Sequence, residues 1–315
     1  MNLQTVLGPV EVGQLAPLLY HEHVVLDNRQ YPSLTAYWLP EPSVMAGELS
    51  ALAKSGGKAV VSLTNQCMGR DVDALRAISA QSGVQILTST GYYTRPASPP
   101  ITDPVAVART FRDELEKGID GTPVRAAVIG EIGTGAWRLG AFERDLFKAA
   151  ALAHSDTGAP IATHSHAGRQ ALWQLHALTT AGVPANRVAL GHLDEGLGRD
   201  SYIDSLARLA ARGAYLGFDT IGITYYSEFM RKQLPSDEQR ASAIAKLVAM
   251  GVGDRILISH DICRPSHLKS GGGWGYGHIF QDFLPVLEKH GVERKVAMRF
   301  MVENPLRWLT GVSGA

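Results

Sequence analysis

Cysteine is scarce in this chain. Cys67 and Cys263 are the two in 315 residues, too few for the disulfide framework that holds small secreted folds together. Net charge is missing as well: 30 basic residues offset 30 acidic ones. No run of lysine and arginine marks a nucleic-acid or membrane-surface patch. No apolar stretch reaches the roughly 18 residues that would suggest a bilayer span. The opening Met1-Asn2-Leu3-Gln4-Thr5 lacks the basic-then-apolar pattern of a secretory signal. These absences lead us to expect a cytoplasmic protein with a small-molecule substrate and no nucleic-acid or membrane partner. What is present is apolar mass. Hydrophobic residues make up 45% of the chain, and no composition shift or long linker divides it, so residues 1–315 read as a single domain.

Eight short apolar runs lie near 15–23, 58–65, 84–91, 126–133, 159–166, 187–194, 214–220 and 255–261. Several are rich in Val, Ile and Thr and end in Gly, Asp or Asn, as buried strands do. Helix-like segments near 71–81, 104–118, 145–154, 201–212 and 237–250 separate most of them. Strand–helix alternation repeated eight times points to an α/β fold of the (β/α)8 TIM-barrel type. A doubly wound sheet fits the same periodicity. Pro96, Pro99 and Pro100 mark a loop after the third run, and residues 270–277 a glycine-rich loop after the eighth. In a barrel both belong on the catalytic face, where either can cover a substrate. The segment near 293–310 reads as a last packing helix interrupted by Pro305.

Six residues with metal-ligand chemistry stand where these runs end: His21, His23, Glu131, His164, His192 and Asp261. Taken singly, a strand-end histidine is more often a core or cap residue. Six from five strands favour the barrel, because a closed ring brings those strand ends to one mouth. His21 and His23 are two apart, so a strand aims both imidazoles at one face. Glu131 can bridge two cations, one oxygen to each. Asp261 then completes the shell of the first and His164 with His192 that of the second. Such a metal pair traps a shared hydroxide and polarises the bond it attacks. Asp261, as a base beside that hydroxide, is the candidate proton carrier.

Other candidates lie just past strand ends. Tyr92 and Tyr93 can hydrogen-bond substrate, and Arg264 can grip an acidic group bidentately; aromatic lining and a loop salt bridge are their plainer readings. His166, His260, His267 and His278 read as supporting or surface residues, with a substrate contact as the alternative for any one; Asp194 and Glu195 can orient ligands or relay protons, a solvated pair being the plainer reading, and Cys263 reads as a free thiol.

With Leu19-Tyr20-His21-Glu22-His23-Val24, Phe218-Asp219-Thr220-Ile221-Gly222 and Asp261-Ile262-Cys263-Arg264-Pro265-Ser266-His267-Leu268-Lys269, the chain resembles the phosphotriesterase-like family of the amidohydrolase superfamily. Its nearest branch is that of the phosphotriesterase homology and phosphotriesterase-related proteins. The resemblance implies a TIM barrel with a binuclear centre, most often Zn2+, one metal on His21, His23 and Asp261, the other on His164 and His192. It also implies a possible homodimer. Two departures qualify it. Many members bridge the metals with a carbamylated lysine whose place here is Gly130, with Glu131 following. Efficient phosphotriesterases carry a histidine, and the lactonases an arginine, where Thr220 stands. The leading expectation is a carboxylic ester or lactone hydrolase. An amidase for a small N-acyl compound comes next; promiscuous aryl phosphotriester hydrolysis and a non-catalytic binding protein are weaker alternatives.

Overall fold

The computed structural model describes residues 1–135, 139–228 and 230–312. Eight parallel strands follow one another around a barrel: β1 Leu18–Glu22, β2 Ala59–Ser62, β3 Gln85–Thr90, β4 Val128–Gly133, β5 Ile161–His164, β6 Val188–Leu190, β7 Tyr215–Phe218 and β8 Ile256–Ile258. Each falls inside one of the eight apolar runs. Neighbours pair in sequence order from β1 to β8, as in the (β/α)8 barrel the alternation predicts. At the seam between β8 and β1 the buried Glu22 carboxylate acts as the clasp. Its Oε1 accepts from Ser259 Oγ at 2.7 Å and from the His260 backbone N–H at 2.9 Å, and its Oε2 from the Ile262 N–H at 3.1 Å. His260 takes part too: its Nε2 accepts from the Ile279 N–H at 3.1 Å, so its Nδ1 carries the proton donated to Glu22 at 2.8 Å.

The period-2 alternation of the strands sorts their side chains into two cores. Leu18, Tyr20, Ala59, Val61, Leu87 and Leu257 point into the barrel, where Leu306 and Trp308 pack with them. Leu19, Val60, Ile86, Ile256 and Ile258 point outward to the helices. Those helices are α1 Pro42–Lys54, α2 Val72–Ser82, α3 Pro104–Glu116, α4 Ala141–Thr157, α5 Ala171–Thr180, α6 Asp200–Ala211, α7 Asp237–Ala249 and α8 Leu284–Lys289. Starts follow local chemistry: Asp71 accepts from the Ala74 N–H at 2.9 Å at the head of α2, and Ser236 with Gln239 forms a capping box on α7.

The C-terminal segment differs from its sequence reading. It forms two helices, α9 Arg294–Arg299 and α10 Glu303–Thr310. Pro305 lies in the first turn of α10, where a missing N–H costs nothing, and the break comes before it. Among the described residues no helix is long and apolar enough to cross a membrane.

Candidate metal centre

The six strand-end residues converge at the C-terminal mouth of the barrel. Glu131 stands at their middle. Its Oε2 lies 3.6 Å from His21 Nε2, 3.0 Å from His164 Nδ1 and 3.6 Å from His192 Nε2, while its Oε1 lies 3.5 Å from His23 Nε2. Asp261 Oδ1 is 3.2 Å from His23 Nε2 and 3.7 Å from His21 Nε2. Three overlapping groups therefore bring ligand atoms within 4.8 Å of one another: His21–His23–Glu131, His21–His192–Asp261 and Glu131–His164–His192.

The backbone is bent to achieve this. His192 and Asp261 both adopt left-handed conformations, with φ of 57° and 53°. For non-glycine residues such conformations cost of order 1 kcal/mol and persist only where the surroundings enforce them. Here the His192 N–H donates to Asp219 Oδ1 at 2.8 Å and the Asp261 N–H to the His21 carbonyl at 3.3 Å. Gly130 is required beside Glu131. Its φ is +156°, and a Cβ there would sit 2.6 Å from the Ala162 carbonyl oxygen. The position matched by resemblance to a bridging lysine thus has no room for a side chain, and the carboxylate of Glu131 stands at the centre.

Asp219, buried beneath the ligands, sets their orientation. It accepts from His192 Nδ1 at 3.0 Å and His21 Nδ1 at 2.9 Å, and also from the Tyr20 hydroxyl. With both Nδ1 atoms acting as donors, both Nε2 atoms carry free lone pairs into the centre. Thr64 Oγ1 engages His23 Nδ1 at 2.8 Å to the same effect. His164 is turned the other way, its Nε2 3.3 Å from the Tyr93 hydroxyl and its Nδ1 inward. Sequence reasoning noted the aspartate after the seventh strand without giving it a part. Its signal is its place, directly past an apolar strand end like the six candidates.

The donor set fits a cation. His21 Nε2 is fully buried and lacks a hydrogen-bond partner, an arrangement that costs about 1–3 kcal/mol unless something satisfies it. Burial alone would raise the Glu131 carboxyl, but His164, His192 and His23 hold it well below the usual carboxylate range. Burial alone would lower His23, yet hydrogen bonds with Asp261 and Glu131 lift it to about 9. An imidazole that neighbouring carboxylates keep protonated must release its proton to solvent before it can ligate a metal, which couples uptake to pH.

The centre opens into a cavity of about 570 Å³ whose wall includes Tyr37, Tyr93, His166, Glu195, Tyr225 and Arg264. Arg264 lies over the Tyr37 ring at 4.3 Å and within 5.2 Å of that of Tyr225. Its Nε is buried and unpartnered. Burial pushes Glu195 up to about 7 and, with His164 and His192 adding to it, pushes His166 down to about 2. Tyr92 is not brought to the cavity. Strand-like alternation past β3 sends it outward, edge-on to Phe111 of α3 at 5.4 Å.

Other expectations shift as well. The glycine-rich loop 270–277 does not line the cavity. It is tied down by Glu48, which accepts from the Lys269 and Ser270 N–H groups at 3.1 and 2.8 Å. Residues 33–37 and residues 223, 225–228, 230 and 234 border the mouth in its place. Asp194 is not solvated: it is fully buried, accepting from Arg240 Nε at 2.6 Å and from the Thr220 hydroxyl at 2.6 Å. His267 is buried against the Trp274 ring at 4.6 Å, and His278 pairs with Asp237 at 2.7 Å. Cys263 is a buried thiol whose pKa burial raises well above its ordinary value.

Comparison with known proteins agrees with the barrel fold. The sequence model of the phosphotriesterase family matches residues 1–309. The phosphotriesterase homology protein of Escherichia coli (strain K12) is 34% identical over 290 residues, covering 91% of this chain and 95% of that protein. The N-acetyltaurine hydrolase of Tetraodon nigroviridis is 32% identical over 345 residues, covering 98% of each. A lactonase from Listeria monocytogenes superposes with a TM-score of 0.88 at 25% identity, over 99% of this chain and 100% of that one.

Proposed function

This chain belongs to the phosphotriesterase family, and we propose that, as a metal-dependent hydrolase, it cleaves a carboxylic ester or lactone of a small molecule bearing an acidic group. The observation that carries the reading is the cluster of four histidines and two carboxylates at the barrel mouth, opening on a cavity lined by the Arg264 side chain. His21, His23 and Asp261 would hold one metal, His164 and His192 the other, and Glu131 both. Zn2+ suits a set of imidazoles and carboxylates. Bound there, the metals supply Lewis acidity, bringing water towards ionisation at neutral pH and polarising the scissile carbonyl.

The chain's own residues do the rest. Asp261 lines the cavity beside the histidines and accepts the proton of the attacking water, then returns it to the leaving atom. Tyr93 reaches the same wall and can donate to the substrate. Arg264, held flat by two tyrosines, takes the acidic end of the substrate. An amidase for a small N-acyl compound is the second reading, favoured by the likeness to N-acetyltaurine hydrolases over nearly the whole chain. Efficient phosphotriester hydrolysis is disfavoured: Thr220 is buried and bonded to Asp194, so it offers no relay towards the cavity. The proposal takes residues 1–315 as one hydrolase domain acting in the cytoplasm, with a homodimer as its assembly.

Arg264→Gln tests the substrate assignment. A charge-assisted contact contributes about 1.5–3 kcal/mol, so kcat/KM for an N-acyl aminosulfonate or a carboxylated lactone should fall roughly 10- to 100-fold, chiefly through KM. Neutral lactones should lose little. Equal losses on acidic and neutral substrates would remove Arg264 from substrate recognition.

A further inference from the structure

A second concavity, of about 670 Å³, runs along α6. Its lining includes five cationic side chains, Arg169, Arg199, Arg208, Arg212 and Lys232, and no Asp or Glu. In a chain whose charges balance at 30 and 30, that one-sided wall is a local exception. Two nearby acids have partners of their own. Asp200, in the first turn of α6, pairs with Lys246 at 2.7 Å. The Glu195 carboxylate accepts from the Ala167 N–H at 3.0 Å and belongs to the wall of the other cavity. Arg208 Nη2 donates to the neutral Ser205 Oγ at 2.9 Å, a bond that leaves its charge in place, while Lys232 Nζ donates to the Glu195 backbone carbonyl and also feels the Glu195 and Asp194 carboxylates.

The floor is apolar: Leu172, Leu197, Leu206 and Leu209, with the ring of Tyr202. Tyr202 is fixed in place. It is wedged against Gly168 and Gly196, where an added Cβ would fall 2.0 and 2.5 Å from its ring or hydroxyl atoms, and its hydroxyl donates to the Leu193 carbonyl at 2.9 Å. Arg199 and Arg212 flank the 12 residues of α6, which puts their backbones about 20 Å apart at the helical rise. A single phosphate cannot meet both ends. An extended, multiply charged molecule with an apolar or aromatic portion can.

We propose that this groove is a second ligand site, separate from the metal centre, for an organic polyphosphate of nucleotide size, its phosphates on the arginines and its base over the leucine–tyrosine floor. The volume lies within the roughly 300–1,000 Å³ usual for small-molecule sites. Charge attraction to exposed arginines makes such binding salt-sensitive.

Calorimetric titration of ATP into the metal-loaded protein tests it, with metal content measured before and after. We expect one ATP per chain, binding at least about tenfold weaker in Arg208→Gln/Arg212→Gln, with hydrolytic turnover and melting temperature unchanged. Tripolyphosphate, lacking the base, should bind more weakly than ATP. Absence of saturable binding would overturn the proposal. So would equal affinity in wild type and the double variant, which would send the anion to the metals, and so would tripolyphosphate binding as tightly as ATP.

Discussion

Asp261→Asn is expected to keep its metal and lose turnover by roughly 10²- to 10⁴-fold, the range typical of a missing general acid–base. The substitution is nearly isosteric, and an amide oxygen can still coordinate a cation. Asparagine also tolerates the left-handed backbone that this position requires, φ 53°. What it cannot do is accept a proton. The comparison must be made at matched metal content, because Asp261 Oδ1 lies 3.2 Å from His23 Nε2 and contributes to the same centre. A variant that binds its metal fully and turns over at the wild-type rate would show that the proton travels by another route.

Asp219→Asn should weaken metal affinity by roughly 10- to 100-fold, although the residue does not line the cavity. The reason is donor–acceptor arithmetic. Asp219 accepts on both oxygens, from His192 Nδ1 and its backbone N–H on one, and from His21 Nδ1 and the Tyr20 hydroxyl on the other. Asparagine offers one acceptor and one donor. Whichever way it turns, an NH₂ faces donors, and one imidazole must give up the tautomer that leaves Nε2 free for metal. Competition with a chromophoric chelator, alongside a thermal melt to confirm folding, measures the effect. Unchanged affinity would reduce Asp219 to a core residue.

The two variants also separate what the sequence discloses from what it conceals. Asp261 and its five companions are legible because each ends an apolar run, and a barrel gathers strand ends at one mouth. Asp219 shares that position past a strand end, but its role shows only when His21, 198 positions away, and His192 meet over one carboxylate. Glu22 reads as filler between two histidines until the seam of the barrel reveals it as the clasp. Tyr92 and Tyr93 look equivalent in sequence, and only the alternation of the folded segment sends one to Phe111 and the other to the cavity. Helices α1, α5 and α8 escape a reading based on amphipathic stripes, and for α5 the reason is simple. In Ala171-Leu172-Trp173-Gln174-Leu175-His176-Ala177-Leu178, apolar residues surround most of the helix, so no single face stands out. Arg264 was readable as a cation past the last strand; the tyrosines that hold it come from segments about 227 and 39 positions away by sequence number, beyond the reach of local pattern.

The measurement that bears most directly on the whole account is metal content by elemental analysis, made on protein reconstituted with Zn2+ in buffer freed of bicarbonate, and followed by turnover of lactones, aryl esters, N-acyl amino acids and an aryl phosphotriester. With Glu131 rather than a carbamylated lysine at the centre, the account predicts close to two metals per chain and turnover confined largely to the carbonyl substrates. Failure to take up metal, or uptake that appears only when bicarbonate is supplied, would contradict it.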